Sequence, residues 1–125
     1  MKGYTSLEQS KKLAEILPLE SADMGYIPSA EDDDGNTLYT ADFKSEFIFD
    51  EDCIPCWSLA ALLDVIPKHI KDYNVLRIDI GEKDFSIWYD EIGFGVNSDL
   101  PDITMEEPID ACVDMIEKLH EQKLL

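Results

Sequence analysis

Val75-Leu76-Arg77-Ile78-Asp79-Ile80-Gly81-Glu82-Lys83-Asp84-Phe85-Ser86-Ile87-Trp88-Tyr89-Asp90 is the stretch on which the fold turns. Leu76, Ile78 and Ile80 alternate with Val75, Arg77 and Asp79. Phe85, Ile87 and Tyr89 alternate with Ser86, Trp88 and Asp90. A period of two is the mark of a strand that buries one face. Gly81 to Asp84 is a tight connection between two such strands. A turn at Asp90-Glu91 leads to a third, Ile92 to Val96, with Phe94 and Val96 on one face and Gly93 and Gly95 on the other. Short links between successive strands predict an antiparallel meander. One of its faces takes the apolar series. The other carries Arg77, Asp79, Ser86 and Trp88 and meets water or a partner.

Helices are predicted on either side of this meander. After a loop from Asn97 to Met105, the last helix begins near Thr104 or Glu107 with Pro108 in its first turn, and runs to about His120. Ile109, Cys112, Val113, Ile116 and Leu119 form its apolar stripe. Before the meander, Pro55 through Ile70 reads as a helix with Leu59, Leu62, Leu63 and Ile66 at helical spacing. Pro55 fits its first turn, Pro67 ends or kinks it, and a short turn from Lys68 to Asp72 follows. At the start, Thr5 and Glu8 have capping-box spacing, with Ser6 as a rival cap, and Pro18 closes the helix. Leu7 to Met24 then makes a capped helix and an exit loop. Asp34-Gly35-Asn36 reads as a turn, with short strands at Thr37–Thr40 and Glu46–Phe49. The expected class is α+β: a single domain, 1–125, with an antiparallel three- to five-stranded sheet and helices packed on one face in two layers.

Charge is the second constraint. The chain has 28 Asp and Glu against 10 Lys and Arg, a formal net charge of -18. Eleven of those carboxylates lie between Glu20 and Asp52, where Lys44 is the single base. Such a surface repels nucleic-acid backbones and anionic membranes, and it steers basic proteins. With 45% hydrophobic residues the chain still has the apolar content of a globular domain, unlike an acidic disordered segment. No stretch approaches the roughly 18 apolar residues of a membrane span. The N-terminal residues lack the apolar core of a signal peptide, and three cysteines do not make a disulfide framework. The expected location is cytoplasmic, with reduced thiols.

Site chemistry is sparse. Cys53-Ile54-Pro55-Cys56 at a predicted helix start has the spacing of a thioredoxin-like redox pair or of half a zinc site. Asp50, Glu51 and Asp52 oppose a thiolate there, because their field raises a cysteine pKa. A zinc site would need Cys112, His69 or His120, and the four-ligand spacing is missing. Cys112 falls in a core stripe, and both histidines are expected near helix C-termini. Glu31 to Asn36 fails the calcium-loop pattern: with Gly35 at position six, Ala30 and Ala41 occupy the two essential acidic ends. Signatures of hydrolases, phosphate loops and dinucleotide loops are absent. Neither a catalytic residue nor a cofactor or metal ligand is assigned.

Three segments, LEQSKKLAEILPLESADM from Leu7, IPCWSLAALLDVIP from Ile54 and PIDACVDMIEKLHEQKLL from Pro108, carry a resemblance over about half the chain. Their arrangement resembles small uncharacterised acidic proteins of gut Bacteroides-type bacteria and their prophages or mobile elements. The resemblance implies that genetic setting and transfers no catalytic or binding role.

The expected function is therefore a non-enzymatic acidic interaction or accessory protein that binds a basic protein partner. It makes no direct contact with nucleic acid or membrane. Its candidate interaction residues are Asp32, Asp33, Asp34, Asp50, Glu51, Asp52, Trp57 and Trp88. Trp57 has a second reading, as an indole sealing the core edge. The alternatives are a DNA-mimic inhibitor of a nucleic-acid-binding protein, and a small redox or zinc protein built on Cys53 and Cys56.

Overall fold

The computed structural model of the chain describes residues 2–43, 52–71, 73–92, 95–96 and 99–125. The first helix, α1 (Leu7–Ala14), is capped by Ser6. The Ser6 hydroxyl accepts from the Gln9 N–H at 3.2 Å, and Gln9 Oε1 accepts from the Ser6 N–H at 2.9 Å. The capping box thus sits one residue beyond Thr5 and Glu8, because Thr5 is engaged elsewhere. Its N–H donates to the Trp57 carbonyl at 2.9 Å, and its hydroxyl accepts from the Trp57 N–H at 3.2 Å. The helix stops before Pro18, and a 3₁₀ turn spans Leu19–Ser21.

The exit loop ends at Met24, where a strand begins that no sequence signal marked. β1 (Met24–Glu31) pairs antiparallel with β2 (Thr37–Phe43). Pro28 hides β1 from a sequence reading, since proline is a poor strand interior residue. The chain accommodates it beside a bulge between Pro28 and Ala30, where Ser29 is the extra residue. β3 (Ile54–Cys56) pairs with the other side of Met24–Tyr26, so the strand order is β2-β1-β3. The predicted strand Glu46–Phe49 lies outside the described residues.

Pro55 is therefore in a strand and not in a helix. α2 (Leu59–Val65) starts after Ser58, whose Oγ accepts the Ala61 N–H at 3.3 Å. Serine relieves an orphan N–H that Pro55 and its neighbours cannot. Asp23 holds this cap in place: its carboxylate accepts both the Ser58 N–H and the Ser58 hydroxyl. Because α2 ends at Val65, His69 is not at a helix C-terminus. It lies exposed in β4 (His69–Ile70).

The second sheet joins β4 to β5 (Asn74–Ile80), β6 (Phe85–Glu91), β7 (Gly95–Val96) and β8 (Asp102–Met105). The β5–β6 register sets Leu76 opposite Tyr89, Ile78 opposite Ile87 and Ile80 opposite Phe85, so the apolar series shares one face. The third place in the meander is divided. β7 pairs with Asp90 and Glu91, while β8 pairs with Phe85 through Trp88. The predicted Asn97–Met105 loop thus ends in a strand, with Ile103 buried and Asp102 and Thr104 exposed.

α3 (Pro108–Glu121) fits its prediction closely. Pro108 stands in the first turn, Asp110 favours the N-terminal end and Lys118 and His120 the C-terminal end. Ile109, Cys112, Val113, Ile116 and Leu119 are all buried. α3 contacts β6 and β8, while α2 packs on α3. The core joins Leu62 and Ile66 to Phe85, Ile87 and Tyr89 through that helix. A smaller cluster of Met24, Tyr26 and Cys56 seats the first sheet. The molecule is α+β and antiparallel as expected, with a second sheet that the sequence reading did not separate. Among the described residues, no helix is long and apolar enough to cross a membrane.

Candidate interaction surface

The β1–β2 hairpin is anchored at its base alone. Met24, Gly25 and Tyr26 are buried, Ile27 is half-buried, and Pro28 through Glu31 are exposed. Along β2, Tyr39 and Ala41 are half-buried and the rest exposed. The distal half is therefore an arm beyond the core. From Met24 to Phe43 the chain has five carboxylates (Glu31, Asp32, Asp33, Asp34 and Asp42) and no Lys or Arg. Leu38 at 47% exposure adds apolar contact area to it, and Phe43 at 68% adds more at the hairpin's base, opposite Met24.

Asp32 builds the arm's tip rather than facing a ligand. Its Oδ1 accepts from the N–H groups of Asp34 and Asn36 at 2.9 and 2.8 Å, and its Oδ2 accepts from Asn36 Nδ2 at 3.3 Å. The Asn36 N–H bond is the main reason its carboxyl is held below the usual range. Gly35 takes the left-handed conformation that closes the turn, at φ 81°. Asp33 and Asp34 are left pointing into solvent at the tip. Asp52 is exposed near the arm's base, two residues before Ile54 pairs with Tyr26. Asp50 and Glu51 lie outside the described residues. Sequence reasoning missed Leu38, Asp42 and Phe43 as part of this surface. The turn at Asp34-Gly35 was the available signal, since a hairpin turn demands a strand on its other side.

A second exposed region is the face of the five-stranded sheet turned away from α3. The register lines up Arg77, Trp88 and Asp102 across β5, β6 and β8, with Asp79, Ser86 and Thr104 in the next row. Trp88 is half-buried at the centre of this face. Arg77 Nε lies 3.5 Å from Asp90, and Ser86 and Thr104 share a hydroxyl–hydroxyl bond of 2.8 Å. Trp88 thus stays a candidate contact residue.

Trp57 does not. It is fully buried, and its indole N–H donates to the Ser21 hydroxyl at 3.0 Å. This corrects its assignment to an interaction surface and matches the core-sealing reading.

The thiols are placed for structure. Cys53 precedes β3 and Cys56 is its last residue, so neither stands in the first turn of a helix, which removes the helix-end field a reactive pair would use. Cys56 is fully buried, and burial is the main cause of its raised pKa, with Asp23 adding to the rise. The opposing field thus includes an acid from another segment. Cys112 is buried in α3 and pushed up to about 12 by the same cause. Around Cys56, the Tyr26 hydroxyl donates to the Thr5 carbonyl at 2.7 Å, and the Thr5 and Ser10 hydroxyls lie 2.7 Å apart. These bonds satisfy buried groups and tie α1 to both β1 and β3. Among the described residues, no group of three or more His, Cys, Asp or Glu could hold a metal ion. No protein-family model, no curated protein and no solved structure matches this chain.

Proposed function

We propose that this chain is a non-enzymatic interaction protein whose acidic arm engages a basic protein partner. One observation carries the reading: the hairpin leaves the core with five carboxylates, no base and two exposed apolar side chains. Carboxylates of this kind act mainly on association rate, while Leu38 and Phe43 supply contact area that persists after docking. The other acidic row of note runs along α3 through Asp110, Asp114, Glu117 and Glu121. Half of it is neutralised internally, Asp110 by Lys2 at 2.8 Å and Asp114 by Lys118 at 3.1 Å. That division of charge favours an arm-mediated contact over a DNA mimic, which needs carboxylates in continuous phosphate-like rows. The buried, hydrogen-bonded setting of Cys56 weighs against the redox alternative.

The test is affinity capture from a host extract on the immobilised chain, alongside an Asp33→Asn/Asp34→Asn/Asp42→Asn variant. Recovery of a basic protein by the native chain, lost with the variant and insensitive to competing duplex DNA, is the expected result. Retention of DNA-binding proteins that duplex DNA displaces would favour the mimic instead.

A further inference from the structure

The main sheet has an open edge of its own. Tyr73 O accepts the Ile92 N–H at 2.9 Å, and Asp84 O accepts the Gly81 N–H at 2.8 Å. Those two bonds fix the pattern along β5: odd-numbered residues bond to β6, and even-numbered residues turn their N–H and C=O groups outward. The outward Leu76 N–H is taken by Lys68 O at 2.9 Å. Beyond it, the outward groups of Ile78 and Ile80 have no backbone partner among the described residues. Their side chains lie on the core-facing side, yet α3 covers β6 and β8 and leaves them 40% and 75% exposed. Past Ile80 the same side opens into a cleft with Phe85 and Pro108 in its lining and Glu82, Asp84, Glu106 and Glu107 around it. Lys83 is the one base there.

We infer that the β5 edge accepts an antiparallel strand from the basic partner, with apolar residues against Ile78 and Ile80 and a basic residue entering the carboxylate cleft. The inference rests on the interaction reading above and gives it a docking mode, β-strand addition. In an antiparallel pair the residues opposite Ile78 and Ile80 share their face and exchange backbone bonds with them. The intervening residue lies opposite Asp79, where Lys or Arg is favoured. Two positions beyond the Ile80 partner, on the same face, a basic side chain reaches Glu82, Asp84 and Glu106. A second copy of this chain fits badly. Pairing β5 with itself sets Asp79 opposite Asp79, or, one register step back, drives Ile80 to where Lys68 already flanks Leu76; one step forward leaves little beyond Ile80 paired. The net charge of -18 opposes self-association in any register.

The probe is the blocked peptide Arg-Thr-Val-Lys-Val-Thr, added to the full chain and followed by amide hydrogen exchange and NMR titration. Expected is slowing of exchange at the Ile78 and Ile80 amides by at least about tenfold at saturation. N-methylation of both valines, or the Ile80→Lys variant, should weaken binding by at least about tenfold, since each strikes a bond or contact made only by the added strand. N-methylation of the lysine and the C-terminal threonine should leave binding intact. Unprotected Ile78 and Ile80 amides, whether the peptide binds elsewhere or not at all, would overturn the inference. The two readings then separate. Partner capture that survives Ile80→Lys but is lost on neutralising Asp33, Asp34 and Asp42 leaves the arm reading standing without the edge. Failure to capture any basic protein removes the reading on which the edge rests.

Discussion

Trp57 is the residue on which most of the chain leans. Its backbone is bonded to Thr5 ahead of α1, its indole to Ser21, and its side chain sits in the main core. Trp57→Ala should destabilise the protein by about 3–5 kcal/mol, measured by denaturant unfolding, because the vacated space cannot collapse and Ser21 loses its partner. Asp110 illustrates the opposite regime. The Lys2 ammonium, with help from Gln9, holds its carboxyl below the ordinary value. A folded pKa lower than the unfolded one gives stability that is present at neutral pH and lost as pH falls through the folded value. Asp110→Asn should therefore cost under about 1 kcal/mol at pH 7, given the exposure of the pair, and nothing at about pH 2. A cost that grew in acid would contradict this. Single residues were only partly legible in the sequence. The buried stripe of α3 was, because side-chain period reports burial directly. The fate of Trp57 was not, since an indole at the edge of an element serves core and partner equally well.

At the scale of elements, what periodicity could reach was the β5–β6 pair and α3, where apolar residues repeat without interruption. It failed where a local signal competed. Pro28 concealed β1, Pro55 suggested a helix start that Ser58 supplies, and β8 was too short to stand out from the Asn97–Met105 segment. Ser58 should show its weight on substitution: Ser58→Ala removes the cap of α2 and one of its two bonds to Asp23, costing about 1–2 kcal/mol in thermal unfolding. The arm differs from the sheet beside it. An isolated hairpin is marginal in water, and here the core holds just its first residues. Amides of Pro28's neighbours through Thr40 should exchange near the rate of free peptide, while those of Ile87 and Trp88, bonded to β8 and β5, should exchange only on global unfolding. Equal protection in both would mean that the arm is packed.

The whole molecule carries a net charge of -18, and among the described residues it has three ion pairs, all substantially exposed. Each such pair contributes at most about 1 kcal/mol, so added salt loses little there and relieves much more general repulsion. The melting temperature should rise between about 0.02 and 0.5 M sodium chloride; a fall would mean that specific ion pairs dominate. At this scale the sequence conveyed the amount of charge and roughly its address. It could not convey that the acidic stretch leaves the core as an arm, because that depends on β1 and on how far β3 extends along it. The proposed role of this arm is to steer a basic protein into contact. Stopped-flow association of the captured partner, with the native chain and with Asp33→Asn/Asp34→Asn/Asp42→Asn, tests it most directly. The association rate constant should fall by at least about tenfold from 0.05 to 0.5 M salt and be already low and nearly salt-independent in the variant. The same rate and the same salt dependence in both proteins would contradict it.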